Sequence, residues 1–175
     1  MNNNIDIHKE LVERYKKGDI KAQYKLFNMN INAMYNTAIR FFANQMDAED
    51  IVQESFIVAF EKINSFNGNS TFSYWLKQIV INKCISELRK RKLDFVNIDE
   101  HYLEAEENEI NDDFDPEKLH QIIKELPIGA RTVINLYAFE NLSHKEIAEK
   151  LEISESTSKT QYMRAKMLLL EKIKK

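Results

Sequence analysis

Residues 94 to 117 hold eleven carboxylates (Asp94, Asp99, Glu100, Glu104, Glu106, Glu107, Glu109, Asp112, Asp113, Asp115 and Glu117) without one lysine or arginine before Lys118. Like charges at that density repel, few apolar side chains accompany them, and helical periodicity is weak. Such a segment should stay extended and mobile unless a partner holds it. It divides the chain into two lobes, 1–92 and 116–175, joined by a flexible acidic linker, 93–115, with Pro116 suited to open the following helix. Only 3 Gly and 2 Pro occur in 175 residues, so long helices are easier to build than a turn-rich sheet, and 43% hydrophobic residues can supply two small cores. The expected class is all-α.

The same segment explains the charge. The net charge of -3 argues against a nucleic-acid partner until the acidic stretch is set aside, leaving 25 cations against 17 carboxylates, about +8. The folded parts are basic. A single cysteine, Cys84, cannot form an internal disulfide, which suits a reducing compartment, and its place in an apolar helical pattern marks it as core packing. The start, Met1 to His8, lacks a basic region followed by an apolar run, and no apolar stretch reaches membrane length. A soluble, cytoplasmic protein without membrane insertion is expected.

Residues 143 to 166 have the layout of a helix-turn-helix. Ser143 with Glu146 makes a capping box, Ile147, Ala148 and Leu151 share one face, and Ser154 can cap the next helix. In that second helix Tyr162, Ala165, Leu169 and Ile173 are expected to point inward. Ser156, Thr157, Ser158, Lys159, Thr160, Gln161 and Arg164 then lie near its start and outer surface. Hydroxyls, an amide and cations are the groups that read base edges and hold phosphates in a major groove; a merely solvated polar helix is the plain alternative.

In the first lobe, Gly18-Asp19 precedes Ile20, Tyr24, Phe27, Ile31, Met34, Tyr35, Ala38 and Phe42 at helical spacing, with a break expected near Asn28 to Asn30. A further helix should start at Asp47 as its cap, turning Ile51, Val52, Ser55, Phe56, Ala59 and Ile63 inward. Its other face shows Asp47, Asp50 and Glu54, with Glu49 and Gln53 alongside. That face can be solvated, can hold a metal, or can dock a basic partner; no second ligand cluster completes a metal shell, and no cofactor is expected. After Phe66 come Asn67, Gly68, Asn69, Ser70 and Thr71, then a long helix to about Lys92 that buries Phe72, Trp75, Leu76, Ile79, Val80, Ile85 and Leu88. A polar loop rimmed by aromatics and followed by Asn82, Lys83, Arg89 and Arg91 can hold an unstacked base while cations track the strand. Trp75 fits the core equally well.

The run Asp47-Ala48-Glu49-Asp50-Ile51-Val52-Gln53-Glu54-Ser55-Phe56, then Phe66, Trp75-Leu76, the acidic connector, and a helix-turn-helix ending Met163-Arg164-Ala165-Lys166 resembles, in this order, the extracytoplasmic-function (ECF) type of bacterial RNA polymerase sigma factor. The resemblance implies a region 2-like helical bundle and a region 4-like helix-turn-helix domain, with core RNA polymerase (its beta-prime clamp and beta flap) and promoter DNA as partners. Asp47, Glu49, Asp50, Gln53 and Glu54 would dock on the basic coiled coil of the clamp. Phe66, Asn67, Asn69, Ser70 and Thr71 would capture a flipped base of the minus-ten element, and Asn82, Lys83, Arg89 and Arg91 would support the melted strand. Residues 156–164 would read the minus-thirty-five duplex, and the acidic linker would pass through the RNA exit path until growing RNA displaces it. The resemblance also implies an anti-sigma factor, and no catalytic residue. Two positions depart from the family pattern. Glu152 stands where Gly is usual in the turn, at a cost of roughly 1 kcal/mol if its φ is positive. Gln161 stands where Arg is common, which removes a phosphate or guanine contact. A stand-alone helix-turn-helix regulator would leave the acidic face and loop without work; a metal-dependent nuclease would need Asp47, Asp50 and Glu54 as ligands.

Overall fold

The computed structural model describes residues 3–91 and 116–173, so the expected conformation of the acidic linker lies outside the described residues. Among the described residues every regular element is helical. The chain forms two compact units, Met1–Ser86 and Glu87–Lys175, with the division falling inside the last helix of the first unit, ahead of the expected boundary at 92.

The first unit contains α1 (Asn3–Lys16), α2 (Ile20–Ile39), α3 (Gln45–Glu61) with a 3-10 turn at Ile63–Ser65, and α4 (Phe72–Lys90) as far as Ser86. The α1–α2 turn is set by Gly18 at φ 91° and by Asp19, whose Oδ1 accepts from the amide of Lys21 at 2.9 Å and so caps α2. Arg14 clasps the other oxygen of Asp19 at 2.7 Å, and this contact holds the Asp19 carboxyl below its usual range. α2 runs unbroken through Asn28 to Asn30, contrary to the expected interruption. Asn30 is instead buried, its amide nitrogen donating to the Leu26 carbonyl at 2.7 Å, so the polar side chain is satisfied inside the helix. The inward stripe is Ala22, Leu26, Asn30, Met34 and Ala38, whereas Ile20 and Tyr24, expected on that stripe, are exposed.

The cap of α3 also differs from expectation. Asn44 accepts from the Met46 amide at 2.9 Å, and Asp47 sits within the first turn, where its charge faces the positive end of the helix dipole. Ala48, Ile51, Val52, Ser55, Phe56 and Ala59 are buried, which agrees with the sequence reading. α4 buries Phe72, Leu76, Val80, Ile81, Cys84 and Ile85; Trp75 is half-buried. Burial pushes the Cys84 thiol far up from its ordinary pKa, as expected of a packing residue.

The second unit contains α5 (Pro116–Glu125), α6 (Ile128–Ile134) running into a π turn at Asn135–Phe139, α7 (His144–Leu151) and α8 (Glu155–Ile173). Its core joins Ile122 and Ile123 of α5, and Leu126 just past its end, to Ala130 and Ile134 of α6 and to Ala165 and Leu169 of α8. The α7–α8 turn passes through Glu152 at φ 57°, a left-handed conformation that favours glycine. The amides of Glu152 and Ile153 both bond back to the Ala148 carbonyl, a closure that holds the strained residue in place. Glu152→Gly is therefore expected to raise stability by roughly 0.5–1 kcal/mol, measured as a higher urea midpoint at unchanged slope. A lowered midpoint would contradict strain at this turn.

Candidate nucleic-acid and partner interfaces

Three surfaces carry the residues singled out by sequence. The first is the outer face of α3, where Glu49, Asp50, Gln53 and Glu54 are exposed and Asp47 is half-buried. Helical spacing puts them opposite the buried set, so their alignment follows from what the core needs. Glu49 accepts from Gln45 at 2.9 Å and Glu54 pairs with Lys83 of α4 at 2.8 Å. Beside this face lies a shallow depression of about 500 Å³ lined by Tyr15, Phe27, Gln53, Phe56, Ile57 and Phe60. Exposed Ile57 thus continues the acidic stripe with an apolar surface. Among the described residues no group of three or more His, Cys, Asp or Glu is placed to hold a metal ion.

The second surface is the loop between the 3-10 turn and α4. Asn67, Gly68, Asn69, Ser70 and Thr71 are exposed, with Gly68 at φ 78°. Asn67 Oδ1 accepts from the Asn69 amide at 3.1 Å, an Asx turn that shapes the tip, and Thr71 Oγ1 accepts from the Tyr74 amide at 3.2 Å, capping α4. Phe66 departs from the sequence reading as a base-contacting residue. It is buried, packed against Phe72 and Trp75 with ring centroids 6.0 and 5.3 Å away. It forms the floor beneath the loop. Along α4, Asn82 and Arg89 are exposed and Lys83 is half-buried. Exposed Arg91, just past its end, donates to Glu87 at 3.2 Å. Arg91 and Lys90 together hold the Glu87 carboxyl below its usual range, so part of this cationic charge is already matched.

The third surface belongs to the helix-turn-helix. The capping box forms as expected: the Ser143 hydroxyl accepts from the Glu146 amide at 3.3 Å and Glu146 accepts from the Ser143 amide at 2.8 Å. Ser154 accepts from the Thr157 amide at 3.0 Å and so caps α8. Ser156 and Lys159 are exposed, and Thr157, Thr160 and Arg164 are half-buried on the outer side. Lys159 pairs with Glu155 at 2.7 Å within the first turns.

Two expected readers of DNA are not on this surface. Ser158 and Gln161 are buried, at 0% and 2% exposure, and with Ala165 and Leu169 they make the inward stripe; Tyr162 lies only at its edge. The phase of the helix is the reason, because 158, 161, 165 and 169 follow the 3.6-residue repeat from one side. The Gln161 position therefore faces the core, and its lack of Arg removes no outward contact. Ser158 instead bonds His144 Nδ1 at 2.9 Å, which links the two helices of the motif. His144 stacks on Tyr137 at 4.7 Å and meets Tyr162 edge-on at 5.6 Å. Sequence reading missed this aromatic brace, since its members are scattered over three elements and no spacing rule joins them.

Burial, with help from Lys159, lowers the pKa of His144, while Glu155 opposes the shift. A histidine depressed in the folded state contributes stability that is complete above about 6.5 and lost as pH falls through that value toward the folded pKa. Urea midpoints of the chain should therefore fall more steeply below pH ~6.5 than those of His144→Gln. Parallel pH profiles would contradict a lowered His144 pKa in the folded chain.

The chain matches the family described as Sigma-70 region 2 over residues 26–93 and Sigma-70, region 4, over residues 117–169. It is 33% identical to the ECF RNA polymerase sigma factor SigW of Bacillus subtilis, over 95% of this chain and 96% of that protein. It is 30% identical to the RNA polymerase sigma-H factor of Pseudomonas aeruginosa, over 90% of this chain and 89% of that protein. Among solved structures, the sigma factor RpoE of Bartonella quintana, in complex with the anti-sigma factor NepR, has the same fold, with a TM-score of 0.53 and 23% identity over 86% of this chain and 96% of that one. The protein is thus a two-domain member of the Sigma-70 regions 2 and 4 class. Within it, the chain belongs to the ECF sigma factors, alternative sigma factors that direct transcription through RNA polymerase and promoter DNA. Its relatives are initiation factors and not enzymes. Among the described residues no helix is long and apolar enough to cross a membrane.

Proposed function

We propose that this sigma factor divides promoter recognition among the three surfaces. The exposed carboxylates of α3, Asp50 and Glu54 foremost, dock on a basic coiled coil of core polymerase, and the apolar depression beside Ile57 adds burial to that contact. The loop of Asn67, Asn69, Ser70 and Thr71 captures an unstacked base of the minus-ten element, while Asn82, Lys83, Arg89 and Arg91 follow the opened strand. Ser156, Thr157, Lys159, Thr160 and Arg164 read the minus-thirty-five duplex from the outer side of α8. The observation that carries this reading is that the region 2 match contains the exposed acidic face of α3 and the exposed polar loop, while the region 4 match contains the polar outer side of α8.

Its work is binding work. Holding a flipped base opposes reannealing by a few kcal/mol for each unstacked base, and the protein itself makes no phosphodiester bond. It acts in the cytoplasm, with core polymerase supplying the spacing between the lobes. An anti-sigma factor is a proposed regulator, in keeping with the complexes in which RpoE of Bartonella quintana and CnrH were solved.

Run-off transcription with purified core polymerase tests the proposal: a defined start site is expected only when the chain is present. Asp50→Lys should weaken loading onto core at least about tenfold in a pull-down, because it sets like charge against a basic dock, while the thermal midpoint stays unchanged. Normal loading would remove this role. Lys159→Ala should weaken binding to minus-thirty-five duplex and reduce the slope of log affinity on log salt by about one phosphate contact. An unaltered slope would count against a phosphate contact at Lys159.

A further inference from the structure

The base-directed loop is pinned at both ends by helices that precede it in the chain. Upstream, Lys16 of α1 donates from Nζ to the Phe66 carbonyl at 3.0 Å, while Glu13 holds the same ammonium at 3.3 Å. Downstream, Ser73 donates from its hydroxyl to Asn30 Oδ1 of α2 at 2.5 Å. Asn30 Nδ2 donates to the Leu26 carbonyl and lies 3.3 Å from His8 Nε2 of α1. Between the two pins, Phe66, Phe72 and Trp75 form the apolar floor.

These contacts do different work. The buried Asn30 must be satisfied for α2 to pack, so its bonds serve the fold as well as the loop. The bond from Lys16 to the Phe66 carbonyl is part-buried and charge-assisted. Its acceptor is the last carbonyl before the loop, which makes its effect geometric. Lys16 also lies ahead of residues 26–93, the stretch that matches Sigma-70 region 2.

We infer that Lys16 and Asn30 are positioning residues for strand capture, fixing the two ends of the loop so that Asn67, Asn69, Ser70 and Thr71 meet a flipped base in one geometry. The inference rests on the base-capture reading above. Loop ordering before binding lowers the entropy lost on capture and makes the loop discriminate between bases, since a wrong base cannot be accommodated by shifting the loop. α1 thereby becomes part of the promoter-reading apparatus without touching DNA.

The test uses holoenzyme assembled from core polymerase and the full chain, with a non-template-strand oligonucleotide from a promoter mapped by run-off transcription. Fluorescence anisotropy compares it with the same oligonucleotide substituted at each minus-ten position in turn. Lys16→Met, which keeps the stem and removes the donor, is expected to lower the largest cognate-to-substituted affinity ratio about three- to tenfold. Its loading onto core should be unchanged, and Lys16→Arg should restore the ratio. Ser73→Ala should lower it similarly from the downstream end. If Lys16→Met and Ser73→Ala keep the full ratio while Asn69→Ala loses it, base capture stands and the positioning role is overturned. If Asn69→Ala and Thr71→Ala also keep the ratio, the base-capture reading itself fails, and the inference with it.

Discussion

The candidate surfaces on α3 and α8 are what remains after each helix has buried its inward face. In α3 the inward set of Ala48, Ile51, Val52, Ser55, Phe56 and Ala59 leaves only one direction for Glu49, Asp50, Gln53 and Glu54. The same holds in α8, where burial of Ser158, Gln161, Ala165 and Leu169 turns Ser156, Lys159 and their neighbours outward. Burying one Leu or Phe side chain is worth about 1.5–3 kcal/mol, several times the worth of an exposed ion pair. The cores therefore set the orientation of the helices, and the charged surfaces follow.

That hierarchy explains which features were legible in the sequence. Local devices were: the Ser143–Glu146 box, the Ser154 cap and the left-handed residue at Glu152 depend on neighbours a few positions away, and all form. Rotational phase was harder. Tyr162 and Gln161 differ by one position, about 100° around the helix, and hydrophobicity alone favoured the tyrosine as the inward residue. The core accepts Gln161 and Ser158 because polar partners are supplied, His144 in the case of Ser158. Asn30 misled in the same way, reading as a helix break while standing on the four-residue repeat Ala22, Leu26, Asn30, Met34, Ala38. That repeat was the available signal. α1 gave less, since its buried Leu11 and Val12 sit among charged and polar residues.

Charge has a second organisation, laid over the first. Pairs such as Glu54–Lys83, Glu87–Arg91 and Glu155–Lys159 keep cations and carboxylates close on the free surfaces. Exposed pairs of this kind are weak and exchangeable, so polymerase or phosphate can take over one member at small cost. Exchange of one member of such a pair for an outside charge is therefore cheap. Such exchange also makes binding sensitive to ionic strength.

On the proposed function, this chain makes core polymerase open a promoter by holding one strand at the minus-ten element while α8 holds duplex upstream. Permanganate footprinting on a promoter fragment tests it most directly, because unpaired thymines react and paired ones do not. With core polymerase and the chain together, thymines should become reactive in one short tract, with duplex protected from nuclease about two to three helical turns upstream, and neither component should produce this alone. Protection of duplex by the chain in the absence of polymerase, with no reactive thymines when both are present, would contradict the account.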